Sequence, residues 1–289
     1  MKVLIMGRNG QVAHELQVTA PRVFQVCSLG SGECDIRDSQ QVMEAVGEYR
    51  PEIIINAAAY TAVDKAEQEV ENAYAVNSSG ALHIAEAARK YSCQLVHIST
   101  DFVFDGKKSS PYLPEDKPNP LGVYGKSKLE GEQRVRGVLG KEALILRTAW
   151  LYSAQGNNFV KTMLRLMQER DSVSVVTDQV GTPCWARGLA ETIWNLVQRK
   201  AKGILHWTDA GVASWYDFAV AIQEEALTVG FLEKTIPIRP INTQDYPTPA
   251  PRPAYSVLDK TATWKVLQNN EPLHWRTSLR NMLKELKGL

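Results

Sequence analysis

Five short apolar runs in the first half of the chain constrain its fold more than any other feature. They are Val3–Met6, Val23–Ser28, Glu52–Asn56, Leu95–Ser99 and Ala143–Arg147. Each is continuous rather than alternating, the pattern of a strand covered on both faces. Helical stretches separate them, at Gln11–Thr19, Ser39–Tyr49, Glu71–Lys90 and Tyr124–Leu139. Ser39 is the N-cap candidate of the second of these helices. Strands alternating with helices mean βαβ units, a parallel sheet and right-handed crossovers. The expected fold is therefore α/β, a Rossmann-type doubly wound parallel sheet.

Composition excludes several alternatives. The 289 residues carry 33 Lys plus Arg against 32 Asp plus Glu, a net charge of +1, and are 44 % hydrophobic. That is ordinary globular material with enough apolar content for a core. Near-zero charge argues against a nucleic acid or an anionic membrane as the main partner. No apolar run approaches the roughly 20 residues of a membrane span. The apolar start Val3–Met6 is too short for a signal-peptide core, so the cytoplasm is the expected location. Cys27, Cys34, Cys93 and Cys184 form no Cys-x-x-Cys pair, and they read as reduced and mostly buried rather than as metal ligands.

Four motifs carry candidate chemistry. Gly7-Arg-Asn-Gly10-Gln-Val-Ala13 follows a strand and opens a helix. Glycine at 7 and 10 lets the backbone approach a pyrophosphate, and the helix N-terminus offers free N–H groups. Gly7, Arg8, Asn9, Gly10, Gln11 and Val12 are thus candidate dinucleotide contacts, although an ordinary strand-to-helix turn reads the same way. No acid appears after the second strand until Glu33. With Arg8 inside the turn, this tilts the preference weakly towards NADPH over NADH. Asp35 and Ile36 are placed to flank the adenine. Asn56-Ala57-Ala58-Ala59-Tyr60-Thr61 ends the third strand. Its small residues suit either a flat ligand or a close crossing of packed elements. Ser99-Thr100-Asp101 closes the fourth strand, where hydroxyls face the ligand crevice of a parallel sheet. Tyr124 and Lys128 stand at i and i+4 on one helix face. A nearby ammonium favours phenolate, which would make Tyr124 a usable general acid with Lys128 as its tuner.

After Trp150 the pattern loosens. A helix at Phe159–Glu169, a strand at Val173–Val176, a helix at Arg187–Gln198 and a strand at Ile204–Trp207 follow. Ser214–Glu225 is helical, then Pro237–Pro253 holds six prolines and cannot be a regular helix or a central strand. Amphipathic segments at Asp259–Leu267 and Trp275–Leu286 close the chain. We expect a dinucleotide-binding domain over 1–150, to which elements near 173–207 return. A smaller, interleaved substrate domain over 151–289 would leave a ligand cleft between the two.

The order and spacing of these motifs resemble the extended short-chain dehydrogenase/reductases, and within them the dTDP-4-dehydrorhamnose reductase family. Besides the motifs above, the resemblance rests on Thr61-Ala-Val-Asp-Lys-Ala-Glu67, Phe102-Val-Phe-Asp-Gly106, Arg147-Thr-Ala-Trp-Leu-Tyr152 and Gly156-Asn-Asn-Phe-Val-Lys-Thr-Met163. Asp178-Gln-Val-Gly-Thr-Pro183 and Tyr246-Pro-Thr-Pro-Ala-Pro-Arg-Pro253 extend it towards the C-terminus. It implies reduction of the 4-keto group of dTDP-4-dehydro-L-rhamnose by NADPH or NADH. Tyr124 would give the proton, Thr100 would hold the same oxygen, and Lys128 would bind the nicotinamide ribose. Asp101 and Trp150 would meet the sugar, with Asn157 and Arg252 as candidates for the diphosphate. Ala13 and Phe102 depart from the frequent Gly and Tyr. Some members dimerise through Mg²⁺ held by three glutamates. The matching positions here are Glu15, Arg187 and Glu285, and a cation in the middle repels a divalent metal. No such Mg²⁺ is expected, and the chain should be a monomer or a differently built homodimer. The resemblance also admits a reductase of another dTDP-4-keto-6-deoxyhexose, or a non-catalytic dinucleotide-binding regulatory subunit of the same fold.

Overall fold

Six parallel strands make the central sheet: β1 (Lys2–Met6), β2 (Gln25–Leu29), β3 (Ile53–Asn56), β4 (Gln94–Thr100), β5 (Leu144–Thr148) and β10 (Gly203–His206). Their order is β10-β5-β4-β3-β1-β2. The computed structural model describes residues 1–268 and 272–288. Between them and after them run β6 (Leu151–Tyr152), β7 (Val173–Val176), β8 (Val180–Gly181), β9 (Cys184–Trp185), β11 (Ala213–Ser214) and β12 (Ile238–Ile241), in two-stranded pairs. The helices are α1 (Gln11–Val18), α2 (Ser39–Tyr49), α3 (Val63–Ala66), α4 (Val70–Tyr74), α5 (Gly80–Lys90) and α6 (Val123–Leu139). Then come α7 (Phe159–Glu169), α8 (Ala186–Gln198), α9 (Trp215–Thr228), α10 (Thr261–Val266) and α11 (Trp275–Lys287).

The continuous apolar runs are explained by two covering layers. Val3, Ile5, Ile53 and Ile55 pack with Val12 and Leu16 of α1 and Leu189, Ile193 and Trp194 of α8. Leu4, Met6 and Ile54, pointing the other way, meet Val42 and Val46 of α2, Ile84 of α5 and Val135 of α6. Each fully buried aliphatic side chain contributes about 1.5–3 kcal/mol. β2 lies on one side of β1 and β3 on the other. That reversal is the switch point at which open α/β sheets bind ligands. The turns after β1 and β3 flank it.

A separate core joins α7, α9 and α11, where Val160, Met163, Leu164 and Met167 recur at helical spacing against Phe218, Ile222, Leu279 and Met282. α8 and β10 do sit on the central sheet, but β7 does not return to it. β7 pairs with β12 instead, because Val173 and Val175 are buried in the α7–α9 core. Pro240 lies in β12, a strand with one partner, where a missing N–H is tolerated.

Two local expectations are corrected. Asp38, not Ser39, caps α2: its carboxylate accepts from the N–H groups of Gln40 at 2.9 Å and Gln41 at 3.2 Å. Ser39 is already the first helical residue. The single helix expected over Glu71–Lys90 is broken by a π turn at Ala75–Ser79. There Asn77 bonds outward to Tyr60 and Ser127, and Gly131 of α6 presses on its carbonyl. All four cysteines are free, and Cys34, Cys93 and Cys184 are buried. Among the described residues no helix is long and apolar enough to cross a membrane.

Candidate active site

The glycine turn is built for close approach. Gly7 takes φ +99°, and a Cβ there would stand 2.7 Å from the Ala58 backbone. Its N–H donates to Leu29 O at 2.8 Å, and the Gly10 N–H donates to Gly7 O at 2.9 Å. Gly10 is the N-cap of α1, whose first N–H groups face the switch point. Gly7, Asn9, Gly10, Asp35, Ile36, Ala57, Ala58, Ala59 and Tyr60 line one cavity of about 360 Å³, together with Arg37, Asn72 and Val76. Bulk is missing here, so a ligand can approach the backbone closely.

Other predicted contacts fall differently. The Val12 side chain is buried in the core, so only its backbone can serve the turn. Thr61 is exposed and outside that lining. Arg8 is ion-paired with Glu33. Gln11 Oε1 accepts from Asn158 Nδ2 at 2.9 Å, tying the turn to the start of α7.

The carboxyl end of β4 carries the candidate reactive groups. Thr100 Oγ1 donates to Asp101 Oδ1 at 3.0 Å and accepts from Phe102 N at 3.2 Å. Asp101 is buried, and burial pushes its carboxyl up to about 6 against the Ser256 and Thr100 hydroxyls. Tyr124, half-buried in the first turn of α6, has its phenol pushed up to about 12 by burial, with the Thr100 hydroxyl pulling it back. The expectation that Lys128 would lower this phenol is not met. Its buried ammonium points at Ile98 O, 2.6 Å away. Burial takes Lys128 itself down to about 8, opposed by Glu132.

Beneath these groups lies a buried network that the sequence did not announce. The Ser99 hydroxyl donates to Glu132 Oε1. Arg147 meets the same carboxylate through Nε at 2.9 Å and Nη2 at 2.7 Å, both side chains 2 % exposed. Asn77 Nδ2 reaches Ser127 Oγ at 3.0 Å and Tyr60 O at 3.1 Å, joining the loop after β3 to α6. Glu67 Oε1 accepts from Val123 N at 2.7 Å at the start of α6. The 61–67 motif therefore positions the helix bearing Tyr124 and Lys128.

Trp150 stacks on Trp215 with ring centroids 3.6 Å apart. Trp150 adopts φ +43°, a strained conformation for a bulky residue. A Cβ on Gly181 would lie 2.6 Å from its indole, which explains that glycine. Asn157 is exposed on the loop before α7. Arg252 is held by Asp64 at 2.8 Å and also donates to Thr248 and Ala250. Any phosphate must share its guanidinium with these partners.

Glu15, Arg187 and Glu285 do come together. Arg187 Nε lies 3.0 Å from Glu15 and Nη2 2.6 Å from Glu285. A guanidinium thus stands where a divalent ion would need a third carboxylate, so these residues do not fit Mg²⁺.

The family model described as RmlD substrate binding domain matches residues 1–287. The chain is 42 % identical over 289 residues to the dTDP-4-dehydrorhamnose reductase of Aggregatibacter actinomycetemcomitans, covering 97 % of this chain and 98 % of that one. A crystal structure of a dTDP-4-dehydrorhamnose reductase from Clostridium acetobutylicum superposes with a TM-score of 0.94 at 38 % identity, over 99 % of this chain and 100 % of that one. That of Bacillus anthracis, in complex with NADP, gives 0.93 at 36 % identity, over 98 % and 99 % of the two chains. Matched over residues 1–287 and 42 % identical to such a reductase over nearly its whole length, the chain belongs to the dTDP-4-dehydrorhamnose reductase family.

Proposed function

We propose that this chain reduces the 4-keto group of dTDP-4-dehydro-L-rhamnose, giving dTDP-L-rhamnose, with NADPH or NADH. The observation that carries the reading is Tyr124 beside Thr100 at the carboxyl end of β4, in the same sheet whose β1 and β3 lead into the turns that line the dinucleotide cavity. The bound dinucleotide supplies hydride to the carbonyl carbon. Tyr124 gives its proton to the carbonyl oxygen as charge develops there. A phenol held near 12 is fully protonated at neutral pH, as a donor must be. Thr100 turns its one hydroxyl proton from Asp101 to the same oxygen, and a protonated Asp101 donates to the Thr100 oxygen in return. Lys128 has one acceptor, Ile98 O, and keeps N–H groups for the ribose. Trp150 forms the sugar wall, and Asn157 and Arg252 take the diphosphate.

NADPH is weakly preferred, since Arg8 and Arg37 both stand at the adenine end. Mg²⁺ is not used, and the chain is a cytoplasmic monomer or a homodimer that does not share a metal. The test is purified protein with either dinucleotide and dTDP-4-dehydro-L-rhamnose, followed at 340 nm with chromatography of the product. Oxidation that needs both protein and sugar nucleotide, yielding dTDP-L-rhamnose, is expected. Turnover only with a different dTDP-4-keto-6-deoxyhexose, or dinucleotide binding without turnover, would overturn it.

A further inference from the structure

We infer that Glu33 sets the dinucleotide preference of this chain by holding Arg8, which keeps discrimination between NADPH and NADH shallow. The inference deepens the dinucleotide part of the reading above and rests on it.

The second strand ends at Leu29 without an acid. The chain then folds back on itself. Glu33 N donates to Gly30 O at 3.1 Å, and Cys34 N donates to the same oxygen at 2.9 Å. This turn returns the Glu33 carboxylate to the strand end, where Oε2 accepts from Gly30 N at 3.0 Å. Its other oxygen takes the Arg8 guanidinium. Gly30 and Ser31, the start of this turn, line the cavity. An acid at the end of the second strand is what meets ribose hydroxyls in this fold. Here it arrives by a turn, so linear spacing hides it.

The consequence follows from charge. A ribose with two hydroxyls can donate to Glu33 and leave the ion pair intact. A 2′-phosphate needs the Arg8 guanidinium and meets the like charge of Glu33 when it arrives. The neighbouring cation is matched in the same way: Arg37 lies on Asp35, with Nη2 to Oδ2 at 2.6 Å. Each guanidinium at this end thus has its own carboxylate. The Arg8 and Glu33 side chains are 45 % and 41 % exposed, so the pair is weak and opens readily. NADPH is then admitted rather than excluded.

The experiment is calorimetric binding of NADPH, NADH and the fragment 2′,5′-ADP, without sugar substrate, to wild type, Glu33→Gln, Arg8→Gln and the double variant. Glutamine keeps an acceptor for Gly30 N and removes the charge. Glu33→Gln is expected to raise the NADPH-to-NADH affinity ratio, and the affinity for 2′,5′-ADP, about tenfold, one charge contact's worth. Arg8→Gln should lower both, and in the double variant the Glu33→Gln gain should vanish, since it acts through Arg8. A ratio unchanged within about twofold in Glu33→Gln, or a gain that survives loss of Arg8, overturns the inference. Folded wild type that binds neither dinucleotide overturns the dinucleotide reading itself, and the inference with it.

Discussion

Tyr124, Lys128 and Asp101 occupy one small volume with three different proton affinities, all set chiefly by burial. Lys128, near 8, is cationic below that pH and neutral above it. Asp101, near 6, is ionised only above that pH. Ribose binding needs the ammonium, and Thr100, once it donates to the carbonyl, can bond Asp101 only if that carboxyl carries a proton. A plot of kcat/KM against pH should therefore fall in two steps as pH rises, near 6 and near 8. Asp101→Asn, which keeps a donor, should remove the step near 6 while leaving the one near 8; an unchanged step near 6 would assign it elsewhere. The i, i+4 spacing of Tyr124 and Lys128 was legible in the sequence. The direction of the ammonium was not, because the Ile98 carbonyl that captures it comes from another strand.

At the scale of elements, six long apolar strands and most helices could be read from periodicity, because a strand covered on both faces leaves a continuous apolar run. The two-residue strands β6, β8, β9 and β11 could not, since so short a ladder has no period. The π turn was hidden for another reason. Asn77 makes sense there only once Tyr60 and Ser127 surround it. Glu33 was legible as the first acid after the second strand, but its return to the strand end was not, because a turn delivers it. The pair Glu132–Arg147 supports the floor of the site through Ser99. Removing one member leaves a buried charge unpaired, which costs about 3–5 kcal/mol. Glu132→Ala should lower unfolding free energy by that amount in chemical denaturation. A loss below about 1 kcal/mol would mean that water replaces the carboxylate. Gly131→Ala should also damage the site, since its Cβ would lie 2.1 Å from Asn77 O. A raised KM for the dinucleotide with retained fold is the expected sign, because Tyr60, bonded to Asn77, lines its cavity.

Across the whole molecule, Arg187 joins α1, α8 and α11 by bridging Glu15 and Glu285. This clamp ties the sheet to the C-terminal core without a metal. Treatment with a chelator should leave melting temperature and sedimentation unchanged. A chelator-sensitive assembly would contradict the metal-free account. Three contacts join distant parts of the chain: Gln11 to Asn158, Asp64 to Arg252, and Trp150 on Trp215. Tyr124 is proposed as the source of the proton for the reduced carbonyl. The most direct measurement of this role is single-turnover oxidation of NADPH at 340 nm by Tyr124→Phe, alongside the affinity of the same variant for NADPH. The account predicts a rate lower by about 10²–10⁴ with cofactor affinity unchanged; a near-wild-type rate would contradict it.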